Sequence, residues 1–141
     1  MPKQTSESVS VDWDALKAAA VAARQNSYSI YSGFPVGAAA LTTDGRLVSG
    51  CNIENASFGM TLCAECSLVS DLFRQGGGKL AYFACVDGHG NILMPCGRCR
   101  QLLFEHSAPG MQLLTVSGIK DITEVLPDAF GPAQLEEHKR A

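Results

Sequence analysis

Long apolar runs are missing from this chain. No stretch approaches the roughly 18 residues that a membrane-spanning helix needs, so no membrane partner is expected. Nor does the N-terminus carry a basic segment followed by an apolar one, and the expectation is a cytoplasmic protein. Positive charge is also scarce: 11 Lys plus Arg stand against 14 Asp plus Glu, a net charge of −3. The basic residues are dispersed, with Arg98 and Arg100 and the tail Lys139 and Arg140 as the densest groups. A binder of phosphate backbones presents a basic face, so nucleic acid is not expected as a partner. Internal repeats and low-complexity linkers are absent as well.

What is present suits one globular unit. Hydrophobic residues make up 46% and charged residues 18% of 141 positions, enough for a single core and too few residues for two domains. Residues 1–10 are polar and read as a flexible N-terminal extension, with 11–141 as the single domain. Trp13, Leu16, Ala20 and Ala23 recur at helical spacing, predicting a helix from Asp12 to about Gln25, with Trp13 as a packing residue. A small-residue strand is expected over 34–42, then an Asp44-Gly45 turn and a return strand over 46–52. A helix over about 62–74 would bury Leu68, Val69, Leu72 and Phe73 and end at Gly76-Gly77-Gly78. The apolar run 80–87 reads as a central strand covered on both faces. A helix opened by Pro95 and ending near His106, a strand over 112–116 and a short helix over 121–126 complete the chain. Strands alternating with helices indicate an α/β layered fold.

Six cysteines are the unusual feature. Cys51 and Cys85 sit in apolar, strand-like stretches and are expected to be buried thiols. The other four form two pairs, Cys63/Cys66 and Cys96/Cys99, each at the start of an expected helix. Three thiolates around Zn²⁺ leave a net negative site, which the positive ends of two helices offset. Three protein ligands also leave a fourth position open for water, the arrangement of a catalytic site. Glu65, close to the metal without being a ligand, could take and deliver the water's proton. Cys63, Cys96 and Cys99 with Glu65 therefore describe hydrolytic attack on an electrophilic carbon.

Five blocks carry a resemblance: residues 31–39 (YSGFPVGAA), 50–59 (GCNIENASFG), 63–65 (CAE), 95–101 (PCGRCRQ) and 126–130 (LPDAF). With them the chain resembles the cytidine deaminase family, and the mycobacterial-type members, with Cys66, especially. This zinc deaminase chemistry is a known general example. The resemblance implies a three-layer α/β/α cytidine deaminase-like fold with a mixed central sheet. It also implies a homotetramer of the small, three-cysteine type, with one zinc per subunit. The implied reaction is hydrolytic deamination of cytidine and deoxycytidine to uridine and deoxyuridine with release of ammonia, a step of pyrimidine salvage. Water adds at C4, while Glu65 moves protons to N3 and then to the amino leaving group. By position, Phe34 should pack against the base, Asn52 and Glu54 should hold the ribose hydroxyls, and the main chain of Ala64 should meet the pyrimidine edge. Ala56, Phe58 and Phe130 match positions that reach into a neighbouring subunit's site.

The chain departs from the commonest family pattern twice. Arginine usually follows the catalytic Glu, but here Cys66 does, leaving the site more negative unless Arg98, Arg100 or the helix dipoles compensate. Family members often place a further hairpin before the Leu-Pro block, whereas residues 117–125 are compact and a fifth strand is doubtful. Cys66 also raises a rival, a closed four-cysteine structural zinc site in a non-catalytic domain. Residues 67–95 between the pairs exceed the roughly 15–20 of a zinc ribbon. Glu65 and the sugar-binding residues would also be left without a role, so Cys66 is expected beside the metal and not on it. Deamination of a cytosine-containing nucleoside antibiotic or of a nucleic acid would use the same chemistry. The Asn52/Glu54 pair and Phe130 fit a plain nucleoside better. His89, His106 and His138 match no ligand position.

Overall fold

A computed structural model describes residues 9–140. The first eight residues of the expected N-terminal extension lie outside the described residues. Within them, Asp12 caps helix α1 (Trp13–Arg24), its carboxylate accepting from the amides of Asp14 and Ala15 at 3.1 Å each. Leu16 and Ala20 form its buried stripe, and Trp13 meets Tyr82 edge to face at 5.6 Å, the packing role expected of it.

Strands β1 (Gly37–Thr42) and β2 (Leu47–Cys51) form the hairpin that the Asp44-Gly45 turn predicts. Helix α2 (Ala64–Arg74), strand β3 (Leu80–Val86) and helix α3 (Gly97–His106) follow. The remaining elements are β4 (Ser107–Thr115), β5 (Gly118–Asp121), the short α4 (Ile122–Val125) and α5 (Pro132–Arg140). The sheet order is β2-β1-β3-β4-β5, with β3 and β4 parallel and every other neighbour antiparallel.

Alternation in the strands builds three layers. Ala39, Ala84 and Val86 face α1, while Ala38, Ala40, Phe83 and Cys85 face the core that α2, α3 and α4 close. The mixed sheet with helices on both faces is the α/β/α arrangement the resemblance implied. Small side chains in β1 and β2 let the helices approach closely. At Gly50 a Cβ would stand 2.5 Å from the Ala64 carbonyl oxygen and 2.5 Å from the Leu68 amide. That gap seats the first turn of α2, and with it Cys63, against the sheet.

Three expectations change. The fifth strand forms: a tight turn at Val116-Ser117 brings Thr115 opposite Gly118, so β5 needs no long loop. Its four residues, Gly118 to Asp121, lie at the sheet edge with Ile119 the one large apolar side chain, too little apolar alternation to be read as a strand. Phe73 is exposed, not buried, and lies edge-on to His106 at 5.2 Å. Helix α5 was not anticipated because it buries no residue; Pro132 at its first position is the one local signal.

Candidate metal centre and active site

Helices α2 and α3 begin at the residues after Cys63 and Cys96. Both cysteines occupy the N-cap position with extended backbone, and the Cys63 thiol does not cap its own helix. Their sulfurs turn toward a common point, joined by Cys99 from the first turn of α3. The Sγ atoms of Cys63, Cys96 and Cys99 all lie within 4.8 Å of one another. Tetrahedral zinc with bonds of about 2.3 Å needs sulfurs roughly 3.8 Å apart, a separation compatible with this cluster.

The local electrostatics ask for a cation. Burial pushes the Cys63 and Cys99 thiols up, and the Glu65 carboxylate adds to the push on both. Burial also works against ionisation of Cys96, but bonds from Cys99, the Cys63 thiol and the Arg98 amide outweigh it and hold Cys96 below its ordinary value. One thiol is thus prepared to ionise by a helix N-terminus. The other two need a metal's charge to follow it.

Glu65, second residue of α2, is buried at 4% exposure. Burial raises the thiols of Cys99 and Cys85, and the Glu65 carboxylate facing them adds to the push on both. Cys85, buried as expected, donates its S–H to the Leu93 carbonyl at 2.9 Å, whereas Cys51 is only half-buried. Beside these groups opens a cavity of about 180 Å³. Cys63, Ala64, Glu65, Pro95 and Cys96 line one part of it, and Asn52, Val36, Thr61, Leu93 and Met94 the rest. The volume is below the roughly 300–1,000 Å³ usual for small-molecule pockets.

The remaining expected residues surround this cavity unevenly. Asn52 lines it, yet most of its amide is already engaged. Its Oδ1 accepts from the Val36 amide at 2.9 Å and from the Ser27 hydroxyl, and its Nδ2 donates to the Phe34 carbonyl at 2.9 Å. One Nδ2 hydrogen is left to donate. Glu54 accepts from the amides of Tyr31 and Ser32 at 3.0 Å each and from the Ser32 hydroxyl. The Ser32 hydroxyl first, then the Ser32 and Tyr31 amides, hold its carboxyl below the usual range. Both residues therefore brace the loop 31–36. Phe34, Glu54, Ala56, Phe58 and Phe130 do not line the cavity within one chain. Phe58 is 74% exposed and touches Tyr31 edge to face at 5.9 Å; Phe130 is 59% exposed.

Cys66 is not one of the three grouped sulfurs. It lines a separate groove of about 620 Å³ with Ser49, Ile53, Leu62, Ser67, Ser70, Asp71 and Arg74. A helix turns about 100° per residue, and α2 presents Glu65 to the sulfur cluster. Cys66, the next residue, is thereby carried round to another face. Arg100 bonds to no thiol: its guanidinium donates to the carbonyls of Pro95 at 2.8 Å and Val125 at 3.0 Å. Arg98 is exposed and reaches Cys96 through its main-chain amide. Sequence reasoning missed Val36, which lies inside the 31–39 block, and Thr61, Leu93 and Met94, which flank the 63–65 and 95–101 blocks.

Residues 11–115 match the model of the cytidine and deoxycytidylate deaminase zinc-binding region. The chain is 52% identical over 132 residues to the cytidine deaminase of Mycobacterium tuberculosis, covering 92% of this chain and 98% of that one. The crystal structure of cytidine deaminase from Mycobacterium leprae superposes with a TM-score of 0.82 at 55% identity, covering 84% of this chain and 100% of that chain. The corresponding structure from Mycobacterium tuberculosis gives a TM-score of 0.84 at 52% identity, covering 86% and 99%.

Proposed function

The chain belongs to the cytidine and deoxycytidylate deaminase family and is a zinc-dependent enzyme of cytidine deamination, and we propose how its residues divide the work. Cys63, Cys96 and Cys99 hold the zinc, one per subunit. When bound, zinc supplies a Lewis acid that lowers the pKa of a water at its open fourth position.

Glu65 takes the proton of the attacking water as C4 of the base is hydrated and delivers it to N3. A second transfer through the same carboxylate carries the proton of the new C4 hydroxyl to the 4-amino group; the C4–N bond breaks as the C4 carbonyl forms, and ammonia leaves. The main chain of Ala64 meets the pyrimidine edge. Val36, Leu93 and Met94 give the cavity apolar walls that limit competing water. Asn52 donates its one free Nδ2 hydrogen to a ribose hydroxyl, and Glu54 accepts from another. Phe34 packs against the base. Ala56, Phe58 and Phe130, outward-facing in one chain, complete the pocket of a neighbouring subunit in a homotetramer. Deoxycytidine is accepted with cytidine, and the setting is cytoplasmic pyrimidine salvage. Among the described residues, no helix is long and apolar enough to cross a membrane.

The observation that carries this reading is a buried carboxylate facing three convergent sulfurs at the wall of one cavity. Zinc-loaded protein should convert both cytidine and deoxycytidine, with one ammonia released per pyrimidine product. Turnover of neither nucleoside, or turnover confined to cytosine within an oligonucleotide, would overturn it.

A further inference from the structure

Three consecutive residues of α3 serve different ends. Cys99 points its sulfur at the metal position, while Arg100 and Gln101 reach back toward the segment that follows α4. The Arg100 guanidinium donates to the Pro95 carbonyl, directly before Cys96, at 2.8 Å and to the Val125 carbonyl at 3.0 Å. Gln101 donates from Nε2 to the Phe130 carbonyl at 2.8 Å. One turn further on, Phe104 presses on Gly131, where a Cβ would stand 2.8 Å from the Phe104 Cε1 atom. The Gly131 amide is held in turn by the Gln134 Oε1 at 2.7 Å.

The segment between these anchors needs holding. Asp128 adopts a φ of 51°, in the left-handed region where a non-glycine residue is strained. The Phe130 ring is 59% exposed, so within one chain its own packing does little to set its direction. Fixing its carbonyl and the residue after it fixes where the ring points.

We infer that Gln101 is a positioning residue for Phe130, and that Arg100 and Gln101 together brace the 125–130 segment against the metal-binding end of α3. The inference about substrate rests on the reading of Phe130 as a contact to the nucleoside. The brace itself stands on the hydrogen bonds and the Gly131 packing. Gln101 is exposed, so losing its donor leaves the core untouched. The Phe130 carbonyl would then be free, and the ring would sample directions away from the base. Such a loss weakens ground-state and transition-state binding alike, which raises KM and spares kcat.

The test uses the intact zinc-loaded protein. Gln101→Met keeps the length of the side chain and removes its donor. It should retain one zinc, exchange the amides of residues 127–131 about fivefold faster, and raise KM for cytidine about fivefold with kcat changed by less than about twofold. Phe130→Ala should raise KM at least as far, and adding Gln101→Met to it should change KM by less than about twofold. Unchanged exchange over 127–131 in Gln101→Met, or loss of its zinc, overturns the brace. If exchange rises but Phe130→Ala leaves KM unchanged, the brace stands and the substrate role of Phe130 falls.

Discussion

Glu65→Ala should lose at least about 10²–10⁴ in kcat while keeping one zinc per chain. The proposed reaction moves two protons through one carboxylate, so no single step survives its removal. Glu65→Gln should fall as far, because the amide keeps the shape and has no proton to exchange. KM should move much less than kcat, since the group acts at the reacting atoms. Glu65 faces the sulfur cluster without being one of the three grouped ligands, so the metal should stay. Burial raises the Cys63 and Cys99 thiols and the Glu65 carboxylate adds to it, so removing the carboxylate relieves part of the push on both. Zinc should therefore survive to lower pH in Glu65→Gln than in the unmodified protein. Metal analysis beside steady-state kinetics checks both halves. A variant that keeps more than a tenth of the activity would remove Glu65 from the chemistry.

Cys99→Ala should fail at the earlier stage, metal binding. Its sulfur is fully buried at the start of α3, and with Cys63 and Cys96 it links the first turns of two helices. Two ligands do not make a tight zinc site, so dialysed protein should hold less than about a tenth of an ion per chain. Activity should vanish with the metal. At free zinc about a thousandfold above its Kd, the unmodified protein gains about 4 kcal/mol that the variant cannot gain. Adding EDTA should lower the thermal midpoint of the unmodified protein and leave that of Cys99→Ala in place. Stoichiometric zinc in Cys99→Ala would mean that the ligands are misassigned.

The parts of this account that were legible in the sequence are those determined locally. A cysteine before a helix, a second cysteine three residues on, and a carboxylate two residues after the first cap specify most of the metal centre. The apolar run 80–86 and the Asp44-Gly45 turn likewise announce their elements. Features that depend on rotation or on a second contact were not legible. The spacing of Cys63 and Cys66 equals that of Cys96 and Cys99, yet α2 is turned to offer Glu65 and α3 to offer Cys99. Nothing in the spacing distinguishes the two orientations. Asn52 and Glu54 read as sugar ligands, and their grip on loop 31–36 appears only when backbone amides from distant positions are placed beside them. β5 and α5 lie at the margins of the fold, where burial is too slight to impose an apolar period.

The central claim is a metal held by three sulfurs, with a fourth position left open near a buried carboxylate. X-ray absorption at the zinc edge of the purified protein tests it most directly. The account predicts three sulfurs at about 2.3 Å and one lighter atom at about 2.0 Å, unchanged in Cys66→Ala. Four sulfurs around zinc, with one lost in Cys66→Ala, would contradict it and return the chain to a closed structural site.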